Sequence, residues 1–313
     1  MNRYGINDFI IVDKNIVKFD ADTVNTNTGI VEEYAHILSE TPGPLNIMYS
    51  GGLDSEIVAE VCRKYAIPHR LHFMVLVHEN KIFNEVDFQN AKKFSDSVEL
   101  HYLDFVKFFD QGDFIDYALK YKTQSPQLAC HLKIASDIGS NLVFGGDAMY
   151  FYYNHEVSCA EFKPTSFGHF CYDNLVRKTG GVGNMANANY SLMIKWLRKQ
   201  VDLAQSGIAN QYHEDRTVNM QKFNYNWKCR MYQEAGFGSV PKQDKMTGFE
   251  TIKTFYSDKY NEIGTVRKFD ELYRAPLKTI VNLPDPVDTV VLATNEIKKL
   301  CEKFGEKYDK SCN

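Results

Sequence analysis

The chain has no paired cysteines. Its seven, Cys62, Cys130, Cys159, Cys171, Cys229, Cys301 and Cys312, are odd in number, scattered, and nowhere spaced C-x-x-C. That spacing excludes a zinc knuckle and a dithiol redox centre, and it suits free thiols in a reducing compartment. Nor is there a basic excess: Lys+Arg 36 against Asp+Glu 40 gives a formal net charge of −4. A general nucleic-acid binder usually carries the opposite balance, so a nucleic-acid partner is not expected, although a local basic groove stays open. No apolar run is long enough to span a bilayer, and Met1-Asn2-Arg3-Tyr4 lacks the apolar core of a signal peptide. The expectation is a cytoplasmic protein with no membrane partner. Internal repeats and low-complexity tracts are missing too. What is there is ordinary globular material: hydrophobic residues are 44% and charged residues 24% of 313, enough for one large or two modest domains.

One stretch organises the rest. Leu45-Asn46-Ile47-Met48-Tyr49 reads as a buried strand, followed directly by Ser50-Gly51-Gly52-Leu53-Asp54-Ser55. Beyond it Ile57, Val58, Val61, Cys62 and Tyr65 repeat at helical spacing, with Glu56, Glu60, Arg63 and Lys64 elsewhere on the helix. A strand, a glycine turn and a helix in succession make an anion site. The first helical N–H groups have no intrahelical partner, and the macrodipole points its positive end the same way. Gly51 and Gly52 admit a close-lying ligand, and Ser50 and Ser55 add hydroxyl donors. Asp54 would repel a bare phosphate, so it makes sense as a ligand for a bridging cation such as Mg²⁺.

Taken in order, residues 1–44 are expected to hold a hairpin over Phe9 to Phe19 and a helix over Ile30 to Leu38, closed by Thr41-Pro42-Gly43-Pro44. After the first strand, Leu71 to Val77 is nearly continuous apolar sequence, as for a strand covered on both faces. Helices are expected over 85–94, 114–121 and 128–138, and strands over 98–103 and 141–144. The last strand ends in Gly145-Gly146-Asp147. Such alternation predicts an α/β fold with a doubly wound parallel sheet over residues 45–150. Ligands bind such sheets at the carboxyl ends of the strands, where both glycine turns fall. Asp147 there can share a cation with Asp54. Beyond about residue 150 the alternation stops. Tyr150-Phe151-Tyr152-Tyr153 and Gly180-Gly181-Val182-Gly183 read as loops or lids, and 190–204, 218–234 and 296–307 as helices. Residues 151–313 are therefore expected to form a mostly helical lobe. His69, His72, His78 and His101 show no metal-ligand spacing and read as structural or surface residues.

The hexapeptide Ser50 to Ser55 resembles the SGGxDS signature of the PP-loop ATP pyrophosphatases and matches it at all six positions. No Gly-Lys-Ser/Thr follows, so it is not a P-loop. The resemblance implies a HUP-like sheet, ATP and Mg²⁺ as cofactors, and cleavage between the α and β phosphates. Further on, Lys228-Cys229-Arg230 and then Pro241-Lys242-Gln243-Asp244-Lys245-Met246-Thr247-Gly248-Phe249 are similar to the lysine–arginine pair and the closing K-x-GF-like segment of the asparagine-synthetase and β-lactam-synthetase domains. That likeness implies Gly51, Gly52, Leu53, Gly145 and Gly146 around the nucleotide. It also makes Lys228, Lys245 and Arg230 candidates for the catalytic cations. Met48 and Met74 flank sheet-edge positions where adenine or core would meet them. Tyr150 and Tyr152 follow the second turn, toward an acceptor pocket.

The expected activity is an ATP-dependent amide-forming ligase: a small-molecule carboxylate is adenylated, pyrophosphate leaves, and an amine takes the acyl group. The glutaminase of the full asparagine synthetases begins with a cysteine after Met1, whereas residue 2 here is Asn2. Ammonia, another amine or a separate ammonia donor is therefore expected. A homo-oligomer is compatible with the sequence. Two other readings stand beside this one: a PP-loop ATPase that modifies a nucleobase in tRNA or DNA, and a nucleotide-binding scaffold without turnover.

Overall fold

The structure, a computed structural model, describes residues 29–145, 228–237, 247–259 and 269–282. It also describes the short stretches 11–13, 16–19, 150–154, 159–163 and 289–292, and scattered positions between 172 and 199. The expected N-terminal hairpin forms as β1 (Ile11–Asp13) and β2 (Ile16–Phe19), paired antiparallel. Helix α1 (Ile30–Ser39) follows and buries Val31, Tyr34, Ala35, Ile37 and Leu38 on one side. Next come β3 (Leu45–Met48), α2 (Leu53–Lys64), β4 (His69–His78), the two-residue β5 (Lys81–Ile82) and α3 (Glu85–Phe94). After these the chain forms β6 (Val98–Asp104), α4 (Phe105–Asp110), α5 (Asp113–Tyr121), α6 (Pro126–Ile138) and β7 (Leu142–Phe144). α4 was not visible as a separate helix in the sequence. Its start is capped by the Asp104 carboxylate, which accepts from the Lys107 N–H at 3.2 Å.

β3 pairs in parallel with β4 on one side and with β7 on the other, and β4 pairs in parallel with β6. β5 folds back antiparallel on the end of β4. The first strand of the sheet therefore lies in its middle. The chain winds outward through β4 and β6, then returns to the opposite flank as β7. The result is an α/β fold whose mixed sheet is mostly parallel, compatible with a Rossmann-like arrangement. A reversal of winding direction opens a crevice at the carboxyl ends of the two strands that flank it, here β3 and β7.

At β3, β4 and β7 both faces of the sheet are buried, which explains the unbroken apolar run in β4. Ile47, Leu71, Phe73, Val75 and Val143 pack with α1, α2 and α3. The alternate residues Met48, Met74, Leu76, Leu142 and Phe144 pack with α4, α5 and α6 and with Phe249, Ile252 and Tyr256. An aromatic group centred on Phe109 anchors that second face: its ring meets Phe105, Phe114, Phe269 and Tyr273 within 6.4 Å. Cys62 and Cys130 are buried thiols; burial pushes both up, Cys62 to about 12, so neither is a thiolate near neutrality. No helix among the described residues is long and apolar enough to cross a membrane.

Two expectations for the second half change. Residues 150–153 belong to β8 (Tyr150–Asn154), which pairs antiparallel with β9 (Cys159–Lys163). β10 (Thr289–Leu292) joins them to β2 in a second five-stranded sheet, so the half read as mostly helical also contributes three strands. An unbroken aromatic run shows no alternation, yet aromatic residues favour strands. The Gly180–Gly183 segment, read as a loop or lid, is a loop, and it docks on the sheet. Val182 bridges in parallel to Val143 and its N–H donates to the Leu142 carbonyl at 3.0 Å, while Tyr34 donates to the Gly183 carbonyl at 2.9 Å. The expected helix at 296–307 and most of that at 218–234 lie outside the described residues.

A buried ion pair ties α1 to the later chain. Lys195 Nζ lies 2.6 Å from Glu33 Oε2, and Asn189 and Ser191 also donate to that carboxylate at 3.0 and 3.1 Å. Burial alone would push the Glu33 carboxyl up, but the Lys195 ammonium and the two neutral donors outweigh it and hold the group below its ordinary value. A depressed carboxyl stabilises the fold above its unfolded value and loses that contribution as pH falls through the folded one. Glu33→Gln is therefore expected to lower stability at neutral pH and to flatten the acid limb of a urea-unfolding series run from neutrality into the acid range.

Candidate functional site

The crevice between β3 and β7 is built from backbone before any side chain enters it. β3 is fully buried and leads through Tyr49, 2% exposed, into the turn at Ser50. Gly51 turns the chain at φ +71°, and a Cβ there would sit 2.5 Å from the Asp87 carbonyl oxygen of α3. A side chain at this position is excluded both by the left-handed backbone and by the space. Gly52 then opens α2 at φ −94° and ψ 166°, with no side chain capping the helix start. Its carbonyl accepts the first helical bond, from Glu56 N–H at 3.2 Å. On the other side the end of β7 presses in: a Cβ on Gly145 would lie 2.4 Å from Ser55 N and 2.7 Å from the Asp54 carbonyl carbon. Gly145 thus meets the first glycine turn at the first turn of α2.

The two serines have different places. Ser55 is 1% exposed, and its hydroxyl donates to the Gly52 carbonyl at 3.1 Å and accepts the Ser50 N–H at 3.1 Å. It braces the turn from inside. Ser50 Oγ lies 3.2 Å from Ser55 Oγ on a half-buried residue and is the hydroxyl nearer the mouth. Glu56, placed off the apolar face by its spacing, is 4% exposed and accepts from the Tyr49 hydroxyl at 3.3 Å. Burial, reinforced by the Glu56 carboxylate, pushes the Tyr49 phenol well up, so it stays a donor.

Asp54 is where the two halves of the chain meet. The helical stretch 228–234 brings Lys228 Nζ to 2.6 Å from Asp54 Oδ2, with only 12% and 17% of the two side chains exposed. Tyr232, one helical turn further on, donates its hydroxyl to Asp54 Oδ1. Its ring packs against Trp196 at 5.5 Å between centroids. Tyr232 was not singled out in the sequence; its spacing of four from Lys228 is the signal that would have found it. Arg230 points elsewhere, pairing with Glu234 at 2.6 Å, and Lys199 reaches the same carboxylate at 3.2 Å. Two residues along a helix is over half a turn, so Lys228 and Arg230 cannot share a target.

The remaining candidates fall as follows. Met48 and Met74 are 9% and 7% exposed and belong to the apolar cluster under α4 to α6, so both are core residues. Thr247-Gly248-Phe249 lies against the sheet edge, where Gly248 backs onto Asn84 and Phe249 is buried. Asn84 in turn donates to the Met74 carbonyl at 2.7 Å and accepts the Leu76 N–H at 2.9 Å, closing the loop after β4. Tyr150 and Tyr152 lie on β8. Gly146, Asp147, Pro241 and Lys245 lie outside the described residues. No family model matches the chain, and a search among curated proteins finds no relative.

Two outcomes test this geometry. Gly51→Ala is expected to destabilise the fold by about 1–3 kcal/mol, from strain and from the clash with Asp87, measured by denaturant unfolding. Lys228→Met leaves Asp54 as an uncompensated, nearly buried charge and is expected to cost about 3 kcal/mol or more. The double variant Asp54→Asn/Lys228→Met should recover most of that loss, whereas strictly additive effects would show the pair to be uncoupled.

Proposed function

We propose that the chain is an ATP-dependent, amide-forming ligase of the PP-loop kind, on a doubly wound HUP-like sheet, similar in plan to the asparagine synthetases. One observation carries the reading. An uncapped helix start, on a turn too tight for a Cβ, lies in the crevice of the sheet and has its acidic residue met by a lysine 174 positions away. Such a turn fits the β and γ phosphates of a nucleotide. Backbone N–H groups at the start of α2 and the Ser50 hydroxyl donate to them, and the absence of a Cβ at Gly51 leaves them room. A divalent cation, when bound, supplies charge neutralisation between the phosphates. Asp54 would hold it, with Asp147 of the second turn, once the Lys228 ammonium moves from Asp54 to the phosphates.

In that arrangement Lys228 does the electrostatic work. The substrate carboxylate attacks the α-phosphorus, the bond to the bridging oxygen breaks, and pyrophosphate leaves with the electron pair. Ammonia or an amine then attacks the acyl carbon, loses a proton, and AMP leaves. Negative charge grows on the leaving phosphate and then on the carbonyl oxygen, and the Lys228 ammonium, once turned to the phosphates in a poorly hydrated crevice, stabilises both. Tyr232 orients Asp54, and Lys245 remains a second candidate cation. Arg230 pairs with Glu234, which ranks it behind Lys228 as a candidate. A separate protein or free ammonia supplies the nitrogen.

A specific observation favours one alternative. Both oxygens of Asp54 already have protein partners, which suits a nucleotide-binding scaffold as well as an enzyme. Incubation with ATP, Mg²⁺, ammonia and a panel of amino acids separates the two. AMP and pyrophosphate are the expected products; ADP would overturn the reading, and no turnover would leave the scaffold. Lys228→Ala is expected to lower kcat by about 10²–10³ with nucleotide binding kept.

A further inference from the structure

A second group of side chains lies away from the crevice, on the face of the sheet that carries α4 to α6. β6 pairs only with β4 among the described strands, with His72 opposite Glu99 and Met74 opposite His101. Side chains alternate along a strand, so His72, Glu99 and His101 all project to one face. His72 Nδ1 lies 3.0 Å from His101 Nε2 and 3.4 Å from Glu99 Oε2, and the ligand atoms of the three residues fall within 4.8 Å of one another. We propose that His72, His101 and Glu99 bind a divalent transition-metal ion that clasps β6 to β4.

Three features argue for a ligand site rather than a chance meeting. The first is spacing. Tetrahedral bonds of about 2.0–2.1 Å put neighbouring ligand atoms about 3.3 Å apart, close to both separations measured from His72 Nδ1. The second is orientation. Asn46 Nδ2 donates to the Ser140 carbonyl at 2.8 Å, which turns its Oδ1 toward His72 Nε2 at 2.9 Å. An amide oxygen only accepts, so Nε2 carries the ring proton and the lone pair of the neutral ring sits on Nδ1, facing Glu99 and His101. Metal-ligating histidines are held in this way, by an acceptor on the nitrogen that does not ligate.

The third is an electrostatic mismatch. His72 is 3% exposed, and with its Nε2–H engaged by Asn46 the nitrogen turned toward the group is Nδ1. A lone pair on Nδ1 then faces the Glu99 carboxylate across 3.4 Å. The His101 N–H can satisfy the nitrogen, but it leaves two acceptors facing each other; a cation between the three removes the conflict. The donor set selects the ion. Two imidazoles and one carboxylate suit Zn²⁺, Co²⁺ or Ni²⁺ and not the all-oxygen sites of Mg²⁺ or Ca²⁺. The Glu99 side chain is 51% exposed, so solvent reaches the group and can supply the fourth ligand.

The test uses the full chain stripped of metal and titrated with Co²⁺. One equivalent is expected to bind with visible ligand-field absorption, and saturating Zn²⁺ is expected to raise the thermal midpoint. Glu99→Gln and His101→Gln change partly exposed positions, so the fold should survive, as circular dichroism checks. Each is expected to weaken Co²⁺ binding by at least about tenfold and to abolish the Zn²⁺-dependent rise in midpoint. No ligand-field band in the wild type, or unchanged binding in both variants, would overturn the proposal. The assay contains no nucleotide, so its outcome is independent of the ligase reading.

Discussion

A carboxylate drawn out of water costs free energy unless a cation and donors meet it. Asp54 is in that position, at the first turn of α2 with the end of β7 pressed behind it, and Lys228 and Tyr232 meet it. The same contact fixes where the helical stretch 228–234 lies relative to the sheet. Met231 and Tyr232 then pack into the apolar cluster on the α1–α3 side, next to Trp196. Charge pairing and core packing thus coincide on one short segment, and the crevice has a wall because of it.

Close backbone approach is the second constraint. The Asp87 carbonyl stands beside Gly51, and Ser55 stands beside Gly145. Neither neighbour could come so near a residue with a Cβ, so Gly51 and Gly145 lock the carboxyl edge of the sheet against α3 and α2. Around them the side chains do internal work: Ser55 braces the turn, Tyr49 and Glu56 hold each other in the core, and Asn84 closes the loop beyond β4. Among the described residues, the start of α2 and the Ser50 hydroxyl remain at the crevice, beside the Asp54–Lys228 pair.

Much of the sheet was legible in the chain because its signals are local. The apolar run in β4 and the period of α1 and α3 depend on neighbours within a few residues. Where the local signal was silent the reading failed. The aromatic run of β8 carries no alternation, the glycines at 180–183 do not announce that they dock on β7, and Glu56 enters the core for a tyrosine seven positions back. The candidate site divides in the same way. The turn at 50–55 was readable in full. Lys228 and Arg230 were readable as candidates; that Lys228 meets Asp54 while Arg230 pairs with Glu234, and that Tyr232 joins the first pair, was not.

The sequence by itself determined that a strand, a tight glycine turn and a helix follow one another at residues 45–64. Period, cap and backbone freedom are properties of consecutive residues. Only the tertiary structure decided which distant groups converge: Lys228 and Tyr232 on Asp54, Gly145 on Ser55, and His72 with Glu99 and His101 across two strands. Those meetings depend on strand order and register, and a parallel crossover separates partners by dozens of residues with no trace in their spacing.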